Sequence, residues 1–203
     1  MFLTGGKYNF IKSRCLLEYA IYLRSNVSTE KAISYYLQAI NLTPNDSYAY
    51  VGTAMCHFSM GRFRDALGFC KKADSIRFSK WNKAFLFIIY ESLGETKSAE
   101  VTLQILKEHL KDNAAAASDQ ISAVYYYLGM YDKAEYYIKK ALEMQPMDAN
   151  IHYNLASIYI ALNKLQEAKP ELQFVLRTTI SRRLKKYSLK RLKQITTLSD
   201  TPK

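Results

Sequence analysis

The sequence contains little glycine, proline or cysteine. Seven glycines and four prolines among 203 residues are too few for a fold with many strands and tight turns, and they favour an all-helical chain. The three cysteines, Cys15, Cys56 and Cys70, are an odd number and form no Cys-x-x-Cys pair. We therefore expect reduced structural thiols in a reducing compartment, and neither a disulfide framework nor a metal site.

Signals for secretion and membrane insertion are also missing from the sequence. No run approaches 18 apolar residues, the length that a transmembrane helix needs. Residues 1–7 show no charged segment followed by an apolar one, as a secretion signal would. The expected location is therefore cytoplasmic or otherwise intracellular.

Motifs that carry chemistry are absent as well. The sequence has no Gly-x-Gly-x-x-Gly, no Gly-x-x-x-x-Gly-Lys and no Gly-x-Ser-x-Gly, so phosphate loops and nucleophile elbows are not expected. The histidines His57, His109 and His152 are far apart in the sequence and are interpreted as structural. We expect no catalytic residue, no cofactor and no bound metal, which favours a binding protein over an enzyme.

What the sequence does contain is an internal repeat. An alanine recurs with spacings of 34, 33, 35 and 34 residues, and a turn position five residues earlier recurs with the same spacings. The alanines are Ala32, Ala66, Ala99, Ala134 and Ala168, and the turn residues are Val27, Gly61, Gly94, Gly129 and Asn163. Five units follow from this alignment: 13–46, 47–79, 80–114, 115–148 and 149–182. Each unit is expected to be a pair of helices.

This 34-residue period resembles the tetratricopeptide repeat, or TPR. The family pattern has a small residue at position 8, alanine at position 20, an aromatic residue at 24 and proline at 32. The first unit supplies Ala20, Ala32, Tyr36 and Pro44. The resemblance implies an all-α, right-handed superhelical solenoid of about five helix pairs. Residues 1–12 would be a lead-in or an incoming helix.

The third unit departs most from the pattern. Phe87 and Leu106 take places where small residues are expected, and the spacing slips by one residue. Large residues hold packed helices further apart, so we expect an irregular joint between the third and fourth units.

The resemblance also implies a concave groove that binds a protein or peptide partner and is lined by the first helix of each pair. A scaffold or adaptor function follows, with exposed aromatic residues as anchors. The predicted groove residues are Tyr48, Val51, Met55, Phe58, Trp81, Phe85, Ile88, Asp119, Gln120, Tyr126, Tyr127, Tyr153 and Asn154. The alternative interpretation is that these aromatic residues pack against neighbouring helices.

The net charge of +11 belongs mainly to the C-terminal tail. Residues 1–171 contain 20 basic and 17 acidic side chains, whereas residues 172–203 contain nine basic and one acidic. The tail, 183–203, is expected to form an amphipathic helix that caps the last repeat. Its predicted apolar arc is Leu184, Tyr187, Leu192, Ile195 and Leu198, and its predicted basic face is Arg182, Arg183, Lys185, Lys186, Lys190 and Lys193.

Two alternatives to groove binding remain open at this point. The basic face of the tail offers a docking surface for nucleic acid or an anionic membrane. Self-association into a homo-oligomer, through the groove or an end of the stack, is the other.

Overall fold

Eleven α-helices make up residues 5–199, the part of the chain that the computed structural model describes, and no strand occurs among those residues. Turns of two to four residues join them, as expected for helices that pack side by side. The helices are α1 (Gly5–Asn26), α2 (Thr29–Leu42), α3 (Ser47–Ser59), α4 (Phe63–Ile76), α5 (Lys80–Leu93), α6 (Thr96–His109), α7 (Ala114–Tyr127), α8 (Tyr131–Met144), α9 (Ala149–Ala161), α10 (Leu165–Thr178) and α11 (Arg182–Ser199).

The chain divides between Leu106 and Lys107 into two compact units. In the first unit α1 packs on α2, α3 on α4, and α1 also contacts α3. In the second unit α7 packs on α8, α9 on α10, and α7 also contacts α9, while α11 packs on α10. The predicted all-α class and the helix-pair architecture are confirmed.

The repeated alanines lie where helices meet. Ala32, Ala66, Ala134 and Ala168 are completely buried, and Ala99 is 4% exposed. A methyl side chain at these places lets the facing helix approach closely, which a longer side chain would prevent. In the fourth pair the Ser122 hydroxyl donates a hydrogen bond of 2.8 Å to the Ala134 carbonyl, which satisfies a buried polar group.

The turn inside each helix pair closes by the same backbone hydrogen bond. The amide of the residue after the turn donates to the carbonyl five residues earlier, as from Met130 to Tyr125 at 2.9 Å and from Lys164 to Tyr159 at 2.8 Å. In the second to fifth pairs a left-handed residue makes this Schellman closure, whereas the first pair closes at Val27, whose φ is not positive. Gly129 with φ 76° and Asn163 with φ 58° are two of these left-handed residues, as the repeat alignment predicts for the turn position.

The joint between α6 and α7 differs from the others. Two consecutive residues that are not glycine, Lys111 and Asp112, have left-handed backbones with φ 56°. The Asp112 amide closes this turn on the Lys107 carbonyl at 2.8 Å. This joint has four residues, as many as the joints after α2 and α8, so it differs from them in backbone conformation and not in length.

The two ends of the chain are helical where the structure describes them. Residues 5–12, predicted as a lead-in or incoming helix, are the first part of α1. Residues 1–4 and 200–203 lie outside the described residues. The tail forms α11, whose Ile195 is buried (4% exposed) and whose Ser188 is completely buried.

Candidate functional site

In the first unit, the accessible part of the predicted groove is an aromatic rim on α3 and α5. Tyr48 is 59% exposed, and Val51 and Trp81 are half-buried. The Arg77 guanidinium lies 6.0 Å from the centroid of the Tyr48 ring, within the range of a cation–π contact. These side chains present apolar surface to solvent.

Four predicted groove residues of this unit are instead buried. Met55 and Phe58 are each 6% exposed, and Phe85 and Ile88 are 0% exposed. The reason is that α5 buries an unbroken apolar run from Ala84 to Ile89, so that no face of the helix is free there. These four residues therefore offer no contact area of their own.

The buried rings hold the rim in place. The Phe85 ring lies 5.6 Å from that of Phe58 and 5.3 Å from that of Trp81, both in edge-to-face arrangements. Such pairs add about 0.5–1.5 kcal/mol beyond the burial of their area. We name Tyr48, Val51 and Trp81, with this floor of Met55, Phe58 and Phe85, the aromatic surface.

In the second unit, the predicted groove residues of α7 and α9 are linked by a hydrogen bond. The Asn154 side-chain amide donates to Asp119 Oδ1 at 2.8 Å, and both side chains are half-buried, as is Gln120. Burial raises the pKa of the Asp119 carboxyl, and the hydrogen bond from Asn154 opposes that rise. A carboxylate in such surroundings interacts strongly with any cation that reaches it.

The same two helices also carry three tyrosines of the predicted groove. Tyr127 is 60% exposed, and the half-buried Tyr126 ring lies 5.9 Å from it and 5.5 Å from the Tyr131 ring. Tyr153 is half-buried, and the Arg191 guanidinium of α11 lies 5.3 Å from the centroid of its ring. We name the α7 and α9 residues, Asp119, Gln120, Tyr126, Tyr127, Tyr153 and Asn154, the polar surface.

Arg191 was not among the predicted site residues. In the sequence, Arg191 is a cation within the otherwise apolar arc of the tail helix. In the structure it is half-buried, and its guanidinium lies over the ring of Tyr153. The same helix corrects a second expectation. Tyr187, which was predicted on the buried arc, is 42% exposed. The small side chain of Ser188, the next residue of α11, is buried instead. The side chain of Leu198 lies outside the described residues.

The six predicted basic residues of α11 form an exposed, positively charged face. All have exposed side chains, and the Arg183 guanidinium lies 5.6 Å from the Tyr187 ring. Residues 182–199 contain no aspartate or glutamate. We name Arg182, Arg183, Lys185, Lys186, Lys190 and Lys193 the basic face.

The buried side chains of His152, Cys56 and Cys70 are part of the packed interior. His152 contacts Glu171 and the Pro146 carbonyl, the latter at 2.9 Å, and stacks on Phe174. Burial raises the pKa of the Cys56 thiol to about 11 and that of Cys70 still further, which keeps both thiols protonated and unreactive. In the part of the chain that the structure describes, no three His, Cys, Asp or Glu residues are grouped to hold a metal ion.

The repeat geometry and a family comparison agree. Residues 126–177, which span the end of α7 through most of α10, match the model of the tetratricopeptide repeat family. This part of the chain therefore consists of tetratricopeptide repeats (TPR). TPR folds are protein-interaction scaffolds, and proteins built from them bind protein or peptide partners.

Solved structures with the same fold cover most of this TPR chain. PilF of Pseudomonas aeruginosa is 11% identical, with a TM-score of 0.52 over 94% of this chain and 90% of its own. MamA of Desulfovibrio magneticus RS-1 is 16% identical, with a TM-score of 0.51 over 84% and 98%. A further MamA structure is 19% identical, with a TM-score of 0.50 over 82% and 91%. At these identities the likeness is one of fold.

No curated protein sequence matches this chain. Within the described residues, none of the helices combines the length and the apolar character that crossing a bilayer requires.

Proposed function

We propose that this TPR protein is a non-catalytic scaffold whose aromatic surface binds a peptide segment of a partner protein. The observation that carries the proposal is the exposure of Tyr48 and the partial exposure of Trp81, whose ring lies against the buried ring of Phe85. Tyrosine and tryptophan are the commonest anchors of protein recognition because they combine a large apolar area with little conformational entropy.

The chemistry of the aromatic surface indicates the kind of peptide. Val51 and Trp81 offer apolar area, and Tyr48 adds a hydroxyl that can donate or accept a hydrogen bond. Phe85, against which Trp81 packs, is fully buried, so binding at Trp81 would require little ordering of the protein. We infer that the partner segment, extended or helical, carries apolar side chains toward α3 and α5.

The polar surface of the second unit is proposed to hold a more hydrophilic segment. Asp119 has a raised pKa because it is buried, and a lysine or arginine of the partner would relieve the cost of its charge. The Asn154 amide and the Tyr127 hydroxyl are suited to peptide groups.

Trp81 provides the experiment, because it is the sole tryptophan. Peptides selected from a random-peptide library on the immobilised protein would be titrated while Trp81 fluorescence is followed. Peptides that use the aromatic surface should shift the emission and should lose affinity by about tenfold or more for Tyr48→Ala, the loss expected of a hot spot.

The matched control is Tyr136→Ala. Tyr136 lies on α8 and is 55% exposed, close to the value for Tyr48, yet it belongs to neither surface. Its replacement should leave the affinity unchanged. Equal affinities for wild type, Tyr48→Ala and Tyr136→Ala would refute the proposal.

Docking of nucleic acid or an anionic membrane through the basic face remains the alternative function. What favours it is the exposure of six cations on one helix without an acidic neighbour in sequence. Against insertion into a membrane, the opposite side of α11 is already used: Ile195 and Ser188 are buried. The basic face would therefore act by charge alone.

An intracellular location is also proposed, since the buried thiols Cys56 and Cys70 suit a reducing compartment.

A further inference from the structure

Helix α1 has an exposed apolar stripe on the side away from its core contacts. Its core side carries Ser13, Leu17 and Ala20, which are 1%, 3% and 0% exposed. On the other side, at about 100° per residue, five side chains fall within an arc of about 80°. They are Tyr8 (55% exposed), Ile11 (46%), Cys15 (exposed), Tyr19 (47%) and Tyr22 (55%), and we name them the α1 stripe.

Each repeat of a helical stack ordinarily buries its apolar side on a neighbour, so an apolar stripe that stays exposed on α1 is a surface for a partner. The stripe is extended by α2, where the half-buried Tyr35 ring meets the Tyr19 ring edge to face at 4.8 Å. This contact holds Tyr19 in place, so the stripe is a preformed surface.

The spacing of the α1 stripe identifies what would cover it. Its members are separated by three, four, four and three residues, which is symmetric about Cys15. Two copies of such a helix that pack antiparallel about a two-fold axis through Cys15 bring like partners together. Tyr8 then meets Tyr22 of the second copy, Ile11 meets Tyr19, and Cys15 meets Cys15. A two-fold contact requires self-complementarity of this kind.

Charges at the edge of the α1 stripe fit the same arrangement. Arg14 and Glu18 lie 3.8 Å apart within one chain. The two-fold axis places Arg14 of one copy and Glu18 of the other on the same edge, within about 3 Å along the helix axis, which is two residues. The two Arg14 side chains lie equally close along the axis, so this edge holds two arginines flanked by two glutamates, and the opposite-charge pairs outnumber the like-charge pair.

We propose that the α1 stripe is a homodimer contact in which two copies of this chain pack their α1 helices antiparallel around Cys15. The three tyrosines each present on the order of 100 Å², and the whole contact buries about 800 Å² counting both copies. That area is below the roughly 1,200 Å² of a stable interface. The dimer is therefore weak and reversible, and a Cys15–Cys15 disulfide would trap it.

The first experiment measures mass against concentration by sedimentation equilibrium, in reducing buffer, from micromolar to millimolar protein. The average mass of the wild type should rise from one chain toward two. The variant Ile11→Glu with Tyr22→Glu should associate at least about tenfold more weakly, because it places two charges from each copy within the apolar contact. Both positions are exposed, so the fold should be kept, as circular dichroism would check.

The matched control is Phe10→Glu with Ile21→Glu. Both residues are on α1 and are 57% and 44% exposed, but they lie outside the stripe. This variant should dimerise as the wild type does. The proposal is overturned if the wild type stays at the mass of one chain at every concentration, grows beyond two chains, or is weakened equally by both double variants.

The second experiment tests the antiparallel register by oxidative crosslinking. Wild type should form a dimer through Cys15, the exposed thiol, since Cys56 and Cys70 are buried. On a Cys15→Ser background, Ile11→Cys mixed with Tyr19→Cys should crosslink several-fold more than Ile11→Cys alone. Two copies of position 11 would lie about 12 Å apart along the axis, too far for a disulfide. Dominant crosslinking of position 11 to itself would overturn the proposed register.

Discussion

The aromatic ring of Tyr36 occupies the space in which a side chain at position 52 would begin. A Cβ atom built on Gly52 would lie 2.3 Å from Tyr36 Cε1 and 2.4 Å from Cζ. Tyr36 is 2% exposed, so its ring has no free volume to move into. Gly52 on α3 thus lets the ring from α2 lie directly on the helix backbone.

Gly52→Ala should therefore destabilise the protein. Overpacking of a core costs about 1–3 kcal/mol, which exceeds the gain of about 1 kcal/mol from replacing glycine by alanine within a helix. Urea unfolding followed by circular dichroism would measure the change. Gly68→Ala on α4 is the control: no atom lies within 4 Å of its Cβ position, so it should stabilise. A higher midpoint for Gly52→Ala than for wild type would contradict the packing described.

How far the sequence predicts this fold depends on the kind of feature. The alanine period, the turn position and the family pattern predict the helix pairs, because small buried residues and left-handed turns are local requirements. The need for glycine at position 52 was not predicted, because it comes from the ring of Tyr36, sixteen residues earlier in the sequence. The unequal burial of Phe85 and Trp81 was also not predictable, because it depends on how many sides of α5 are covered by other helices.

For the candidate site, sequence position gives the correct helices but not the exposure of each side chain. Tyr48 and Phe58 were predicted as equivalent groove residues, yet they are 59% and 6% exposed. Arg191 was missed because its partner, Tyr153, is on another helix. A repeat pattern predicts which face a residue occupies, whereas contacts between helices decide how much of it remains accessible.

Phe58→Ala and Tyr48→Ala should separate stability from binding. Phe58 is buried against Phe63 at 5.0 Å and Phe85 at 5.6 Å, so its removal leaves a cavity and should cost about 3–5 kcal/mol of unfolding free energy. Tyr48 is largely exposed, and its replacement should stay within about 0.5 kcal/mol. Thermal or urea unfolding of the two variants makes the comparison. Equal losses of stability would show that Tyr48 is part of the core.

Asp119→Asn should change how stability depends on pH. Burial raises the pKa of Asp119 above its unfolded value, which is about 3.9, so the folded protein binds the proton more tightly. The corresponding stability is fully present below the unfolded pKa and is lost as the pH rises through the folded pKa. The variant does not titrate, and its advantage over wild type should therefore grow as the pH rises from 3.9.

Urea unfolding at a series of pH values would show this difference. Asn154→Ala is the companion variant, because it removes the hydrogen bond that favours the charged form of Asp119. It should raise the pKa of Asp119 further and extend the loss of stability to higher pH. Superimposable pH profiles for wild type and Asp119→Asn would rule out the raised pKa.

The two faces of α11 should be separable by mutation. Ile195 is 4% exposed, so Ile195→Ala should cost about 2–5 kcal/mol, as expected for a helix that caps the second unit. Replacing all six residues of the basic face by glutamine should change stability by at most about 1 kcal/mol, since exposed charges contribute little.

We expect capping to be the main role of α11, and hence only shallow salt dependence of duplex DNA binding. A log–log salt slope near −5 for wild type, the value expected for six phosphate contacts, would contradict this if it were lost in the glutamine variant and kept in Ile195→Ala. Binding to anionic vesicles, measured with the same three proteins, would separate a membrane from nucleic acid as the target of the basic face.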